Sequence, residues 1–413
     1  MFKNYLLTAY KVFMRRKLFT AINLLCIVLT LVVLMVVTAM LENAFFPSGV
    51  EGKSNRFLQV MVLRMESPDS TRTSTSPLGY RLIDQYLKPM KSVELVSAVT
   101  TPSPVAVYQD GRVTELHMRR ADANYWKILD FTLLAGRLPT AEDDEKGRFV
   151  IVINQSSARK LFGPVDAVGK TISVSGQQFE VVGVVKDELH INAFSDLWAP
   201  VTTFPSTEYR DQMSGEFTAL LLARHAADLP QIQREVQSIA KQVQMKDPKA
   251  WGKALFWADT KLDAFARLSI GDADKVDSGA ALMLTVLAVA MLVFMLLPAL
   301  NLVNLNTGRI LERSSEIGVR KAFGATSAQL VIQLIIENVL LCLAGGLIGL
   351  LCAKGVLMWL ENSGLIPYMK VDMNLAVLLY GLLITLVFGL LSGALPAWKM
   401  SRLDPVHALK GAI

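Results

Sequence analysis

Apolar positions are bunched along this chain rather than spread over it. Residues 18–41, 279–303 and 375–397 contain no ionisable acid or base, and residues 329–353 contain a single one, Glu337. About 20 consecutive apolar residues span the hydrocarbon core of a bilayer as a helix, so the pattern predicts four transmembrane helices, at 18–42, 279–303, 329–353 and 375–397. The first run is longer than the ~7–15 residues of a signal-peptide core, and it is read as a retained anchor. Residues 43–277 are patterned differently. A run of bulky and β-branched residues at 149–153 predicts a strand, and 171–175 with 179–185 flank Gly176-Gln177 as a hairpin. Helical spacing appears at 78–87 and 231–243. Gly163-Pro164 and Thr101-Pro102-Ser103-Pro104 interrupt these elements, and the Ser-, Thr- and Pro-rich stretch 64–77 reads as loop. The predicted architecture is a membrane protein with four transmembrane α-helices, one plus three. A large α+β extracytoplasmic domain lies between the first and second.

Charge orients the chain. Of its 413 residues, 52% are hydrophobic and only 19% are charged, below the roughly 25% usual in soluble domains. Residues 1–17, 304–328 and 398–413 together hold twelve basic and three acidic residues, a net +9, whereas 43–277 is nearly neutral. Basic residues mark cytoplasmic loops. The overall +6 is therefore a topological bias and not a nucleic-acid footprint. It places both termini and the 304–328 loop in the cytoplasm, with 43–277 outside. Cys26, Cys342 and Cys352 all lie in predicted spans, so the outer domain does not depend on disulfides.

Signs of catalysis are weak. The stretch 163–171 reads GPVDAVGKT, but it has five residues between its glycines where a phosphate-binding loop has four, and it leads into a strand instead of a helix. His117, His190, His225 and His407 are scattered with no metal-ligand spacing. His190 follows Asp187 and Glu188 closely and is read as part of a solvated loop. No catalytic, cofactor or metal residues are assigned.

The 304–328 loop is the most informative stretch. Glu316 and Arg320 are four apart with the acid first, the favourable order on a helix. Ile317, Val319 and Phe323 supply apolar contacts, Gly324 ends the helix, and Thr326 with Gln329 forms a capping box for the next one. On spacing alone this is a short polar helix, equally read as a solvated connector. The string EIGVRKAFGA at 316–325, preceded by Glu312-Arg313, resembles the signature of FtsX-like ABC transporter permeases. The close, Leu395-Pro396-Ala397-Trp398-Lys399 through Ser401-Arg402-Leu403-Asp404-Pro405, is similar to that family's ending, with Met400 where the family usually has alanine. Leu161-Phe162-Gly163, Val168-Gly169-Lys170-Thr171-Ile172 and the run 181–185 resemble a MacB-type periplasmic core domain. The resemblance is therefore to a permease subunit that would need a separate ATPase, and not to the members of the family with a fused N-terminal ATPase domain.

The resemblance implies a transport subunit, not an enzyme, in the bacterial inner membrane. The outer domain (43–277) would be the periplasmic core, and 279–406 the FtsX-like permease domain. Two copies of a separate ATPase would bind ATP and magnesium, while this chain binds no cofactor itself. A second permease, identical or not, would complete the unit, and a periplasmic adaptor and outer-membrane channel are further expected partners alongside membrane lipids. Glu316, Ile317, Gly318, Arg320, Lys321, Phe323 and Gly324 would form the coupling helix that meets the ATPase. The amphipathic segment 1–17, with Phe2, Tyr5, Leu6, Ala9 and Phe13 on one face, would lie on the inner membrane surface. Glu337 is an intramembrane acid, and Gly345/Gly349 and Gly389/Gly393 carry the small-residue spacing of close helix packing. The implied action is mechanotransmission for export. Activation of a cell-wall hydrolase or sensor, and lipoprotein extraction, are the alternatives within the family. A receptor without an ATPase is the alternative outside it.

Overall fold

The computed structural model describes residues 11–312 except 12, 16, 246 and 272–274, residues 326–363, and the isolated positions 319, 365, 379, 380, 383, 386, 387 and 390. The chain divides into two compact units. One spans residues 43–284, and the other gathers the segments before and after it.

The described part of the large unit is a mixed α/β structure. Its first strands are β1 (Phe57–Val60), β2 (Leu63–Glu66), β3 (Thr73–Ser76), β4 (Val93–Thr100), β5 (Ser103–Gln109), β6 (Arg112–Ala121) and β7 (Leu133–Gly136). They are followed by β8 (Val150–Asn154), β9 (Thr171–Val174), β10 (Gln177–Val185), β11 (Leu197–Pro200), β12 (Phe217–Ala223) and β13 (Lys253–Leu255). Nine run in the order β1-β12-β4-β6-β11-β8-β10-β9-β5, with β7 added on β10. Because β5 pairs with both β9 and β6, the strands β6, β11, β8, β10, β9 and β5 close into a ring. Strands β13-β2-β3 form a separate small sheet.

Side-chain alternation decides what each face meets. Ile151 and Ile153 of β8 point into the ring with Val107, Leu116 and Phe179. Val150 and Val152 point the other way, into a cluster with Tyr125, Trp126, Phe131 and Trp198. Strand β8 is buried on both faces and runs parallel to β10, which is why its sequence is a continuous apolar run instead of an alternating one. A third cluster packs Leu58, Phe217 and Leu221 against Ile232, Val236 and Ala240 of the helix Leu229–Gln242.

The strand expected at 149–153 is found one residue later. The hairpin expected around Gly176 forms between β9 and β10, with Ser175 and Gly176 both at positive φ, as a two-residue turn of this hand requires. The helix expected at 78–87 is a short α-turn, Tyr80–Leu82, continued by a π-turn, Ile83–Leu87. The loop expected at 64–77 is corrected. It carries the end of β2 and all of β3, paired from Leu63–Ser76 to Glu66–Thr73. Strand β3 reads Thr-Ser-Thr-Ser and alternates between exposed and half-buried positions, so no apolar period marks it. Its main chain is satisfied by β2, whose Leu63 and Met65 are buried two residues apart.

Three long helices flank this unit in sequence: Lys17–Phe45, Ala280–Glu312 and Ser327–Ser363. Within them Thr20–Phe45 and Val331–Ser363 are long and apolar enough to cross a membrane, and Ala280–Phe294 is a shorter apolar stretch. The segment 375–397 lies outside the described residues apart from isolated positions. Inside the smaller unit the first and last of these helices touch. Ile27, Leu31 and Met35 pack with Leu341, Cys342 and Ala353. A Cβ placed on Gly345 would meet Ile27 Cγ2 at 2.6 Å, and one on Gly349 would meet Leu31 Cβ at 3.2 Å. The helices approach this closely because the two glycines have no side chain in the seam. Replacing Gly345 by Ile should lower the stability of the full chain in detergent by about 1–3 kcal/mol through overpacking. Gly355→Ile, where no atom lies within 4 Å of the new Cβ, should leave it within about 0.5 kcal/mol. Thermal unfolding of the two variants tests this, and equal melting temperatures would contradict it.

Candidate functional site: a clasp on the two ends of the large unit

The first long helix ends at Phe45, and six residues later Glu51 lies at the end of a single 3-10 turn, Gly49–Glu51. Its carboxylate is fully buried. One oxygen, Oε1, accepts the main-chain N–H of Asn192 at 2.9 Å. The other stands 2.6 Å from Lys261 Nζ, itself only 3% exposed. A buried ion pair is stable only when geometry and added hydrogen bonds offset the loss of hydration, and the Asn192 N–H supplies one such bond.

Lys261 opens the helix Lys261–Ser269, the last helix before Ala280. Thr260 caps it by accepting the Asp263 N–H at 3.2 Å. Just before it, Asp259 takes a two-pronged contact from Arg267, Nε to Oδ2 at 2.8 Å and Nη2 to Oδ1 at 3.1 Å. Arg267 also donates to the carbonyls of Lys275 (2.7 Å) and Val276 (3.2 Å). Ser278 donates to Asp263 Oδ1 at 2.6 Å and accepts the Ala280 N–H at 3.2 Å. The chain that leads into the Ala280–Glu312 helix is thereby pinned at 275, 276 and 278. Asp259 exchanges both main-chain bonds with Gln59 of β1, at 2.8 and 2.9 Å, which ties this group to the main sheet.

The segment 186–196 receives the contacts of Glu51 and Ser48. His190 is only 9% exposed: its Nε2 lies 3.0 Å from Ser48 Oγ and its Nδ1 lies 3.2 Å from Glu188 Oε2. The solvated loop expected here is corrected, since tertiary contacts from Ser48 bury the imidazole and Asp187 caps the helix Gln155–Phe162 through Ser156 (2.9 and 2.8 Å). The three atoms have the order of a hydrolytic triad, yet the serine hydroxyl also faces the carbonyls of Asn43 and Phe46 at 3.4 Å. They are read as a link between the end of the first helix and this loop. Arg119 holds the loop from behind. Its Nε donates to Phe194 O (2.7 Å), its Nη2 to Ile191 O (2.7 Å) and its Nη1 to Thr100 O (3.1 Å). Tyr125 Oη donates to Asn192 O at 2.7 Å, and burial pushes the Tyr125 phenol up to about 12. Burial likewise lowers the Arg119 guanidinium from its ordinary value, although a guanidinium stays protonated in proteins.

Of the residues singled out in the sequence, Glu316, Ile317, Gly318, Arg320, Lys321, Phe323 and Gly324 lie outside the described residues, as do Gly389, Gly393 and the segment 1–10. Val319, in their midst, is exposed. The capping box does form, with Thr326 N–H to Gln329 Oε1 at 3.1 Å and Gln329 N–H to Thr326 Oγ1 at 3.3 Å. Glu337 is buried and accepts from Gln333 Nε2 at 3.0 Å. Gly345 and Gly349 sit in the helix seam already described. Glu51, Asn192 and Lys261 carry no sequence signal as a group, because some 140 and 70 residues separate them along the chain.

Residues 20–239 match the model of the MacB-like periplasmic core domain, and residues 288–405 match the FtsX-like permease C-terminal model. The chain belongs to the MacB/FtsX-like family of ABC transporter permeases, a family of inner-membrane proteins. The unit 43–284 contains most of its large periplasmic MacB-like domain. Among relatives, the chain is 25% identical over 327 residues to the uncharacterized ABC transporter permease YknZ of Bacillus subtilis, covering 78% of this chain and 77% of that one. It is also 25% identical over 288 residues to the macrolide export ATP-binding/permease protein MacB of Neisseria gonorrhoeae, covering 69% of this chain and 42% of that protein. It thus spans less than half the length of the MacB relatives it matches. Solved structures similar to it include the periplasmic region of MacB from Actinobacillus actinomycetemcomitans (15% identity, 46% of this chain and 87% of that one, TM-score 0.35). Another is the extracellular domain of YknZ from Gram-positive bacteria (19%, 45% and 93%, TM-score 0.37).

The ion pair makes a direct prediction. Lys261→Met leaves the Glu51 carboxylate buried and uncompensated, and should cost about 3–5 kcal/mol. Glu51→Leu with Lys261→Met should cost less than the sum of the two single changes, with a residue of about 1–3 kcal/mol from the orphaned Asn192 N–H. Denaturant unfolding of the full chain in detergent closes this cycle, and strict additivity would refute the pairing.

Proposed function

We propose that this chain is the permease subunit of a MacB-type ABC transporter, which couples ATP hydrolysis on a separate ATPase to movement of its periplasmic domain for export. Membership of an ABC permease family implies an ATPase partner. In this reading two ATPase copies and a second permease form the unit, with an adaptor and outer-membrane channel beyond it. The chain crosses the inner membrane four times, with both termini in the cytoplasm. The coupling helix around 314–323 sits against the ATPase, with Arg320 and Lys321 in polar contacts and Ile317 and Phe323 in apolar ones. The ATPase carries the ATP and magnesium.

The observation that supports mechanical coupling is the clasp. Near the two ends of the large unit, Glu51 after the first helix pairs with Lys261 before the second and accepts the Asn192 main-chain N–H of the 186–196 loop. A rigid clasp passes displacement of a helix end into the ring of strands, whereas a flexible linker would absorb it. The buried side chains and main-chain bonds around Glu51, Asp259 and Ser278 leave little slack.

Two variants divide the pathway. Arg320→Ala combined with Phe323→Ala should reduce permease-dependent ATPase stimulation at least fivefold, with unchanged amounts of protein in the membrane. Glu51→Gln should leave ATPase binding intact and reduce export at least threefold. Co-purification, ATPase assays and vesicle export read these effects. Normal stimulation in the first variant would overturn the coupling-helix assignment, and normal export in the second would overturn the role of the clasp.

A further inference from the structure

One cavity of the periplasmic domain is used by none of the contacts above except at its wall. It holds about 340 Å³ and is lined by Met61, Pro102, Leu189, Ile191 and Phe194, with Arg119 and Asn192 as its charged and amide groups. That is within the ~300–1,000 Å³ typical of small-molecule sites and about twice the ~150 Å³ cavity that accepts one benzene ring. Ile191 is half exposed and opens it to solvent.

Two features of the wall call for a ligand. The Asn192 side chain is 3% exposed, and its Nδ2 has no hydrogen-bond partner. A buried amide left unpaired costs about 1–3 kcal/mol. Arg119, 6% exposed, makes no ion pair: its three bonds all go to main-chain carbonyls. A guanidinium has five N–H donors in a planar fork, so two remain for a guest. A buried cation without a counter-ion is unfavourable. An acid entering the cavity would meet both the unmatched charge and the free amide, while the apolar walls take its tail.

We propose that this cavity binds a small amphiphilic acid, one carboxylate on an apolar body of about eight to ten carbons. The carboxylate meets Arg119 and Asn192, and the tail lies against Met61, Leu189, Ile191 and Phe194. The same loop carries Asn192, whose main-chain N–H ends on Glu51, so the site adjoins the clasp. The binding claim stands whether or not the chain exports anything.

The test uses the purified full chain in detergent and decanoic acid carrying a terminal diazirine. After irradiation, peptide mapping should place the label in segments containing Met61 or 189–194. Unlabelled decanoate should compete, and decyltrimethylammonium should not. Ile191→Trp, which fills the mouth from an exposed position, should reduce this labelling at least fivefold, and Asn192→Leu at least threefold, with melting temperatures confirming that both variants fold. Should one fail to fold, Met61→Trp blocks the same cavity from another lining position. Label confined to the long apolar helices, equal labelling of the blocked variant, or equal competition by the cation would each overturn the proposal.

Discussion

The buried carboxylate of Glu51 is the constraint on which the two ends of the periplasmic domain depend. Removing a carboxylate and an ammonium from water is costly, and the 2.6 Å approach of Lys261 offsets that cost only while the Asn192 N–H occupies the second oxygen. The three groups come from the start, the middle and the end of the domain. Their agreement therefore fixes the place where the chain enters, the loop 186–196, and the place where it leaves. An apolar substitute of equal volume could be as stable, but it would not hold the Asn192 main chain in register. What the charged pair adds is a defined geometry between distant segments.

Behind that loop the ring of strands supplies rigidity. Strand β8 packs Ile151 and Ile153 inward and Val150 and Val152 outward, so one strand belongs to two cores at once. Asn154 at its end donates to Ser195 O and Asp196 Oδ1, both at 3.3 Å, and so brings the far side of the loop onto the ring. Where β7 meets β10, Gly136 at positive φ faces Gly183, and a Cβ on either would lie 2.2 Å from a main-chain carbonyl oxygen. Only glycine permits main chains to approach that closely, which makes this crossing another point without slack.

The helices of the smaller unit obey a different economy. Between helices in lipid there is little hydrophobic gain to be had, so contact depends on close packing. Gly345 and Gly349 provide it against Ile27 and Leu31. Glu337, bonded to Gln333 four residues earlier on its own helix, is a satisfied polar group within an apolar helix. Family membership makes the chain an ABC transporter permease, with its large MacB-like domain lying in sequence between the first long helix and the other two.

The sequence alone determined what depends on composition and short spacing. Uncharged runs mark the long apolar helices, the Thr326/Gln329 pair marks a helix start, Gly176 marks a hairpin, and the strings at 316–325 and 395–405 point to the family, because each is a local signal. It missed β3, a Ser/Thr strand whose partner supplies what its own pattern lacks. It also took His190 for a solvated residue when Ser48, 142 positions away, buries it. The clasp and the cavity were invisible for the same reason. Glu51, Asn192 and Lys261, or Arg119 and Asn192, acquire meaning only by meeting, and burial turns ordinary surface residue types into charges that need partners. Local patterning is written in neighbouring residues, but desolvation is a property of the folded chain, and only the tertiary structure decides which polar groups lose their water.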